Sequence, residues 1–256
     1  MGSILEALSP EQQIACSTQN NILLTACPGS GKTRTLTHRL AYQVLRDPAS
    51  KKIKIAITYT NRAAEEITNR LEGMNIDQSS IWAGTIHQFC MHFIIRPYAM
   101  YSKRLCKGYR IIDDYSKKAY GREIAERLGM HLNYYDDPFQ YENVRTEYKR
   151  VLKEKKEIDF DAILLISEEL LASCAFIGSN IASVISSILV DEFQDTNELQ
   201  YSILSTIYKA NKSIILMFVG DVNQAIYSSL GGVAKGKKEL ETLYEINFDS
   251  LSLKGC

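Results

Sequence analysis

A glycine-rich octapeptide near the start of the chain carries the residue types of a phosphate-binding site. Residues 26–33 read ACPGSGKT and stand between an apolar run at 22–26 and a stretch at 34–44 with apolar residues at helical spacing. Glycine lets several backbone N–H groups point at one place, and the following helix adds the positive end of its dipole. Lys32 could then contact phosphate oxygens, and the Thr33 hydroxyl could bind Mg²⁺. We therefore predict a phosphate-binding loop, with a glycine turn before a helix as the alternative.

Two carboxylates follow another apolar run and have the chemistry that such a loop needs. Residues 188–190 are Ile-Leu-Val, and Asp191 and Glu192 come next. Beside a phosphate loop, Asp191 would hold Mg²⁺ through water and Glu192 would polarise the attacking water as a general base. The alternative for this acidic pair is a helix cap. A third apolar run at 214–219 leads to Gln224, whose amide could sense a γ-phosphate by hydrogen bonding.

The elements that must position these groups are strands and helices in alternation. This order predicts an α/β fold with a parallel sheet, in which ligands gather at the carboxyl ends of the strands. Aromatic and hydroxyl side chains end two further strands, at 54–59 and 80–85. A ring can stack on a base while hydroxyls hold phosphates, so these residues are candidates for contact with single-stranded nucleic acid. Helix caps and core aromatics are the alternative, which the spacing alone favours. The candidates are Tyr59, Thr60, Asn61, Thr85 and His87.

Tyrosine and charged residues become dense in the middle of the chain, and β-branched runs become rare. We predict three segments: residues 1–91 as the first part of the sheet domain, 92–158 as an inserted helical subdomain, and 159–256 as the second part of the sheet domain. Basic residues between 145 and 156 predict a helix whose basic face is either solvated, the favoured reading, or in contact with phosphates.

The composition limits the other classes of function. The 256 residues carry a net charge of zero, which predicts local rather than global contact with nucleic acid. Six cysteines without a CxxC pair indicate a reducing compartment rather than disulfides or zinc. We find no signal peptide and no apolar run of membrane-spanning length, so we expect a cytoplasmic protein without a membrane partner.

Six motifs in order resemble the first RecA-like core of the UvrD/Rep/PcrA group of superfamily 1A DNA helicases. They extend over residues 8–227. LSPEQQ resembles the glutamine motif, ACPGSGKTRT motif I, TYTNRAAEEI motif Ia, GTIHQFC motif Ib, VDEFQDTNELQ motif II and VGDVNQAIY motif III. The implied fold is a RecA-like P-loop NTPase core with a parallel sheet and an inserted helical subdomain.

The resemblance also implies roles for individual residues. The implied nucleotide-binding set is Gln12, Ala26, Cys27, Pro28, Gly29, Ser30, Gly31, Lys32, Thr33 and Arg34. Within it Gln12 would read adenine, although Gln12 taken by itself is better explained as part of a capping box begun by Ser9. Thr33 and Asp191 would hold Mg²⁺, Lys32, Asp191 and Glu192 would act in hydrolysis, and Gln224 would couple the nucleotide state to the grip on DNA.

The chain departs from the family pattern in two places. After Tyr227 the sequence continues with Ser228, Ser229 and Leu230 instead of an aromatic-arginine pair. It also ends before motif IV, so the second RecA-like core, a partner of the first, is expected to be missing. We expect the intact enzyme to use ATP and Mg²⁺ and to move 3′-to-5′ on single-stranded DNA. The chain alone is expected to bind nucleotide weakly, hydrolyse it very slowly and not unwind DNA.

Two other classes of function are alternatives to a helicase core. A non-catalytic module derived from the helicase core would bind DNA or a protein without needing nucleotide, and the changed segment after Tyr227 favours it slightly. A phosphate-loop kinase or GTPase is disfavoured by motifs Ia and III and by the lack of an Asn-Lys-x-Asp stretch.

Overall fold

A computed structural model describes residues 2–27, 29–221 and 235–253. The chain forms two compact units. The core unit contains the described residues up to Phe89 and those from Cys174 onward, and the middle unit is Cys90–Ser173. The sequence-based division placed the end of the insertion at residue 158 instead of 173.

Parallel pairing organises the sheet of the core unit. Its six strands lie in the order β3-β2-β6-β7-β1-β8, and every neighbouring pair is parallel. Strand β7 therefore lies between the strand before the glycine-rich loop and the strand before the acidic pair. The strands, numbered along the chain with the two short strands of the middle unit included, are β1 Ile22–Ala26, β2 Ile53–Thr58, β3 Ile81–Thr85, β4 Arg110–Ile111, β5 Glu157–Ile158, β6 Ile185–Asp191, β7 Ile215–Gly220 and β8 Asp249–Leu253. The predicted α/β fold with a parallel sheet is confirmed.

Helices connect these strands, and their apolar stripes are buried against the sheet. In α3 the stripe is Leu36, Leu40 and Val44, and in α4 it includes Ile67 and Leu71. They pack in one cluster with apolar side chains of the central strands, so burial of this shared surface holds α3 and α4 against the sheet. The α-helices are α1 Gly2–Leu5, α2 Pro10–Ser17, α3 Lys32–Arg46, α4 Asn61–Gly73, α5 Ile86–Phe89, α6 Arg96–Tyr98, α7 Asp114–Arg127, α8 Glu142–Lys155, α9 Phe160–Ser173, α10 Ala175–Val184, α11 Glu198–Ala210 and α12 Lys237–Tyr244.

The middle unit is mainly helical and has its own apolar core. Helices α7 and α8 pack together around Ile124, Val144 and Leu152. Helix α9 packs against the π-helical turn Cys90–Ile95, and its preceding residue Asp159 accepts a 3.0 Å hydrogen bond from the hydroxyl of Tyr148. These contacts place α9 in the middle unit, which is why that unit extends beyond the boundary suggested by sequence. Among the described residues, no helix combines the length and the apolar character needed to cross a membrane.

Candidate nucleotide site

The glycine-rich loop joins a buried strand to an uncapped helix. β1 ends at Ala26, and α3 begins at Lys32. Gly29 and Gly31 have φ values of 78° and 86°, in the left-handed region that side chains other than glycine rarely adopt. Gly31 is the N-cap of α3, and no side chain caps that helix. The first N–H groups of the helix therefore remain available for an anion, beside the positive end of the helix dipole.

Lys32 is buried and forms an ion pair with the acidic segment after β6. Its Nζ lies 2.9 Å from Oε2 of Glu192, although 160 residues separate the two in sequence. The same carboxylate oxygen accepts a 2.7 Å hydrogen bond from Nε2 of Gln194. Glu192 itself has a φ of 50°, a strained value for a residue with a side chain. The loop lysine and the predicted general base are thus adjacent.

Thr33 and Asp191 form a second contact between the loop and the acidic pair. The Thr33 hydroxyl donates a hydrogen bond to Oδ2 of Asp191 over 3.0 Å, and the backbone N–H of Glu192 donates one to Oδ1 over 3.1 Å. Burial and the neighbouring charge of Glu192 raise the pKa of Asp191 from 3.8 to about 6. The two residues predicted to hold Mg²⁺ therefore present their oxygen atoms at one place.

Gln12 closes the capping box of α2 and also contacts the loop. Its Oε1 accepts a 3.0 Å hydrogen bond from the Ser9 N–H, and its Nε2 donates one over 3.2 Å to the carbonyl oxygen of Ser30. A Cβ at Gly31 would lie 2.7 Å from Nε2 of Gln12, and the φ of 86° would strain any other residue there, so this position favours glycine. The capping role suggested by the sequence is confirmed.

Other predicted nucleotide-binding residues are placed differently. Nη2 of Arg34 donates a 2.8 Å hydrogen bond to the carbonyl oxygen of Ala7, so its guanidinium contacts the N-terminal segment. Cys27 is exposed, and its carbonyl oxygen accepts hydrogen bonds from Ser30. Pro28 and Gln224 lie outside the residues that the structure describes.

A cleft of about 300 Å³ brings three of the predicted DNA-contact residues to the acidic pair. Tyr59, Thr85 and His87 line it together with Asp191 and Glu192. The Tyr59 ring is exposed. Thr60 and Asn61 do not line this cleft. The Thr60 hydroxyl caps α4 by accepting a hydrogen bond from the N–H of Ala63, and Asn61 is the first residue of that helix.

Gln194 and Asp195 belong to the site but were missed by sequence reasoning. Oε1 of Gln194 accepts a 3.1 Å hydrogen bond from the N–H of Asp221, so its amide links Glu192 to the end of β7. Asp195 lines the cleft, and burial and Glu192 raise its pKa. A signal was present, because the two polar residues stand only one residue after the acidic pair, but the direction of their side chains depends on the turn Phe193–Asp195.

These features define the class of the protein as a RecA-like P-loop NTPase core. A curled loop, a buried lysine and an acidic pair meet at the carboxyl edge of a parallel sheet, and a helical unit is inserted in the chain. The chain belongs to the AAA domain family, which matches residues 11–230.

Similar proteins include DNA helicases. The chain is 28% identical over 245 residues to "ATP-dependent DNA helicase PcrA" of Leuconostoc citreum, covering 84% of this chain and 32% of the relative. It is 28% identical over 257 residues to "DNA helicase II" of Escherichia coli K12, covering 89% of this chain and 35% of the relative. The resemblance to the UvrD/Rep/PcrA group is thereby confirmed.

A solved structure of a helicase also aligns with the chain. The Pif1 helicase of Candida albicans aligns with a TM-score of 0.46 and 13% identity, over 97% of this chain and 40% of the other. The present chain spans about a third of the length of the curated relatives it matches.

Proposed function

We propose that this chain is the ATP-binding core of an ATP-dependent DNA helicase or translocase that acts in the cytoplasm on single-stranded DNA in the 3′-to-5′ direction. The observation that carries the proposal is the pair of contacts Lys32–Glu192 and Thr33–Asp191 at an uncapped helix N-terminus. The two relatives at 28% identity, an ATP-dependent DNA helicase and a DNA helicase, support DNA as the substrate and ATP hydrolysis as the energy source.

The residues of the site fit a nucleotide with Mg²⁺. The described residues contain no cluster of three or more histidine, cysteine or acidic side chains. Mg²⁺ does not require one, because it is commonly held by one or two protein oxygens, by water and by substrate phosphates. Thr33 and Asp191 supply such oxygens. When bound, the ion would neutralise phosphate charge. In this proposal the loop N–H groups, with residues 26–34 around them, hold the phosphates and Gln12 reads adenine.

Lys32 and Glu192 then have complementary roles. Lys32 exchanges its Glu192 partner for phosphate oxygens, which releases the carboxylate to accept a proton from the attacking water. Gln194 keeps its hydrogen bond to Glu192 and so fixes the direction of that carboxylate. Arg34 is proposed to lie along the nucleotide only after leaving the Ala7 carbonyl. Gln224 is proposed to couple the nucleotide state to DNA binding.

The cleft beside the acidic pair is the proposed path of the DNA strand. Tyr59 can stack on a base, while Thr85 and His87 can contact backbone or base groups. Thr60 and Asn61 are proposed to meet a phosphate through the N-terminus of α4. Because Tyr59, Thr85 and His87 share the cleft with Asp191 and Glu192, nucleotide binding and DNA binding are proposed to act on the same edge of the sheet.

The chain alone is proposed to bind nucleotide weakly, to hydrolyse it very slowly and not to unwind DNA, because a second RecA-like core would supply the other wall and the arginines. The test is calorimetric titration with Mg²⁺-ATP, followed by ATP turnover with and without a single-stranded oligonucleotide. We expect Lys32→Ala to abolish binding and the exposed Lys51→Ala to leave it unchanged.

Each outcome of this test has a defined meaning. Equal binding by the wild-type and Lys32→Ala chains would refute the proposed site. No binding of Mg²⁺-ATP by the wild-type chain would favour a non-catalytic binding module. Robust strand separation by the chain alone would refute the proposed need for a second core.

A further inference from the structure

A cavity of about 870 Å³ lies within the middle unit, and only residues between 103 and 165 line it. The walls come from the segment before β4, from one face of α8 and from the start of α9. Its volume falls within the range of small-molecule sites in proteins. None of its residues belongs to the nucleotide site proposed above.

Basic side chains dominate the charge of this cavity. Arg145, Lys149 and Lys153 follow one another at intervals of four residues, so they form a stripe along one face of α8. Arg145 is paired with Glu142, but the like charges of Lys149 and Lys153 repel one another at this spacing, and an anion bound beside them removes that cost. The other basic residues of the lining are Lys103, Arg104, Lys107, Lys117 and Lys156.

The acidic residues of the cavity have other partners. Lys117 pairs with Asp161, and Asp159 accepts a hydrogen bond from Tyr148. On the other side of α8, Arg150 is neutralised by Glu147 and Glu154. The ion pairs found among the described residues include none with Lys149, Lys153, Lys103, Arg104 or Lys107. In a chain of zero net charge, this is a local surplus of positive charge.

One buried acceptor in the lining lacks a partner. Glu157 is 3% exposed, and its Oε1 is bound by Arg110, but its Oε2 is buried without a hydrogen bond. This oxygen is enclosed by protein atoms, so a ligand in the cavity does not reach it, and the contacts open to a ligand come from the basic stripe and the apolar wall. Apolar side chains complete the wall, including Leu165, which is 49% exposed.

We propose that this cavity binds a nucleoside monophosphate. Its phosphate contacts the basic stripe of α8, and its base lies against the apolar wall. Inorganic phosphate would satisfy the basic stripe alone, whereas an uncharged nucleoside would leave Lys149 and Lys153 without an ion-pair partner. A ligand with both a phosphate and a base uses both features of the cavity.

The test is calorimetric titration with adenosine 5′-monophosphate, carried out on the full chain carrying Lys32→Ala so that the phosphate-binding loop does not contribute. We expect saturable binding with one site. Adding Lys149→Ala and Lys153→Ala together should weaken it about tenfold or more, because charge-assisted contacts are lost. The control Lys118→Ala with Lys238→Ala removes the same charge from exposed positions outside the cavity and should leave affinity unchanged.

Further arms identify the ligand chemistry. Leu165→Trp should fill the cavity and abolish binding. Because Leu165 is partly exposed, the fold should tolerate the larger side chain, and the circular dichroism spectrum checks that it does. Inorganic phosphate should bind more weakly than the nucleotide, and a single-stranded decanucleotide should not bind more tightly per chain. Absence of nucleotide binding at 5 mM (about the weakest range of specific ligands), equal affinity in the stripe and control variants, or clear preference for the decanucleotide would each overturn the proposal.

Discussion

Substitution of Gly220 by alanine should destabilise the core unit by disturbing the candidate site. Gly220 ends β7, and a Cβ there would lie 2.2 Å from Oε1 of Gln194 and 2.6 Å from Cδ1 of Phe193. Ordinary contact begins at 3.4 Å, so the Gln194 amide would have to move by about 1.2 Å. Because Phe193 is fully buried, its ring has little room to give way.

Two hydrogen bonds of Gln194 and the cost of overpacking set the size of this effect. A shift of that length breaks the 2.7 Å hydrogen bond from Gln194 to Glu192 and the 3.1 Å hydrogen bond from the N–H of Asp221. A hydrogen bond to a charged group contributes about 1.5–3 kcal/mol and a neutral one about 0.5–1.5 kcal/mol. Overpacking alone costs about 1–3 kcal/mol. Because these costs overlap, we expect the free energy of unfolding to fall by about 3 kcal/mol.

Urea denaturation measures this change. The fluorescence of Trp82 reports the unfolding, because Trp82 is the single tryptophan and lies in the core unit. Gly73→Ala is the matched control, because a Cβ there meets nothing within 4 Å, and its effect should lie within about 1 kcal/mol of zero. Gln194→Ala alone should destabilise, yet it should add little to Gly220→Ala because both remove the same hydrogen bonds. A loss below about 0.5 kcal/mol for Gly220→Ala would refute this reasoning.

Three further predictions concern charge, thiol chemistry and packing. Asp191→Asn should stabilise the metal-free chain at pH 7, because the pKa of Asp191 is raised from 3.8 to about 6 and the folded state therefore binds a proton more tightly than the unfolded state. The stability that this carboxyl contributes is present below about pH 4 and is lost as pH rises to 6. Urea titrations should therefore give the Asn variant a higher free energy of unfolding than the wild type by up to about 3 kcal/mol at pH 7, and by little at pH 4. N-ethylmaleimide at pH 7.5 should label exposed Cys27 and Cys106 before buried Cys16 and Cys90, because burial raises the pKa of the two buried thiols to about 12. Mass spectrometry identifies the labelled cysteines. Equal labelling of all four would contradict the burial pattern. Leu36→Ala should lower the free energy of unfolding by about 2–5 kcal/mol in the same urea assay, because Leu36 is fully buried between α3 and the sheet; a loss like that of an exposed residue would mean the helix is not packed there.

Local sequence determined the elements that carry the site. Glycines before a Lys-Thr pair specify a curled loop that opens a helix, and the apolar runs before Asp191 and Gly220 specify buried strands. The capping box of Ser9 and Gln12 was also readable, because it depends on residues three positions apart. Each of these signals needs only neighbours in the chain.

The tertiary structure alone decided how those elements meet. The position of β7 between β1 and β6 brings together residues far apart in sequence: Lys32 lies against Glu192, 160 positions away, and Thr33 against Asp191, 158 positions away. The membership of α9 in the middle unit likewise depends on its packing against Cys90–Ile95. Strand order and helix packing follow from burial of surfaces that are distant in sequence, and no local periodicity records which surfaces will pair. For that reason the role of Gln194, whose amide joins the acidic pair to the end of β7, became visible only in the folded chain.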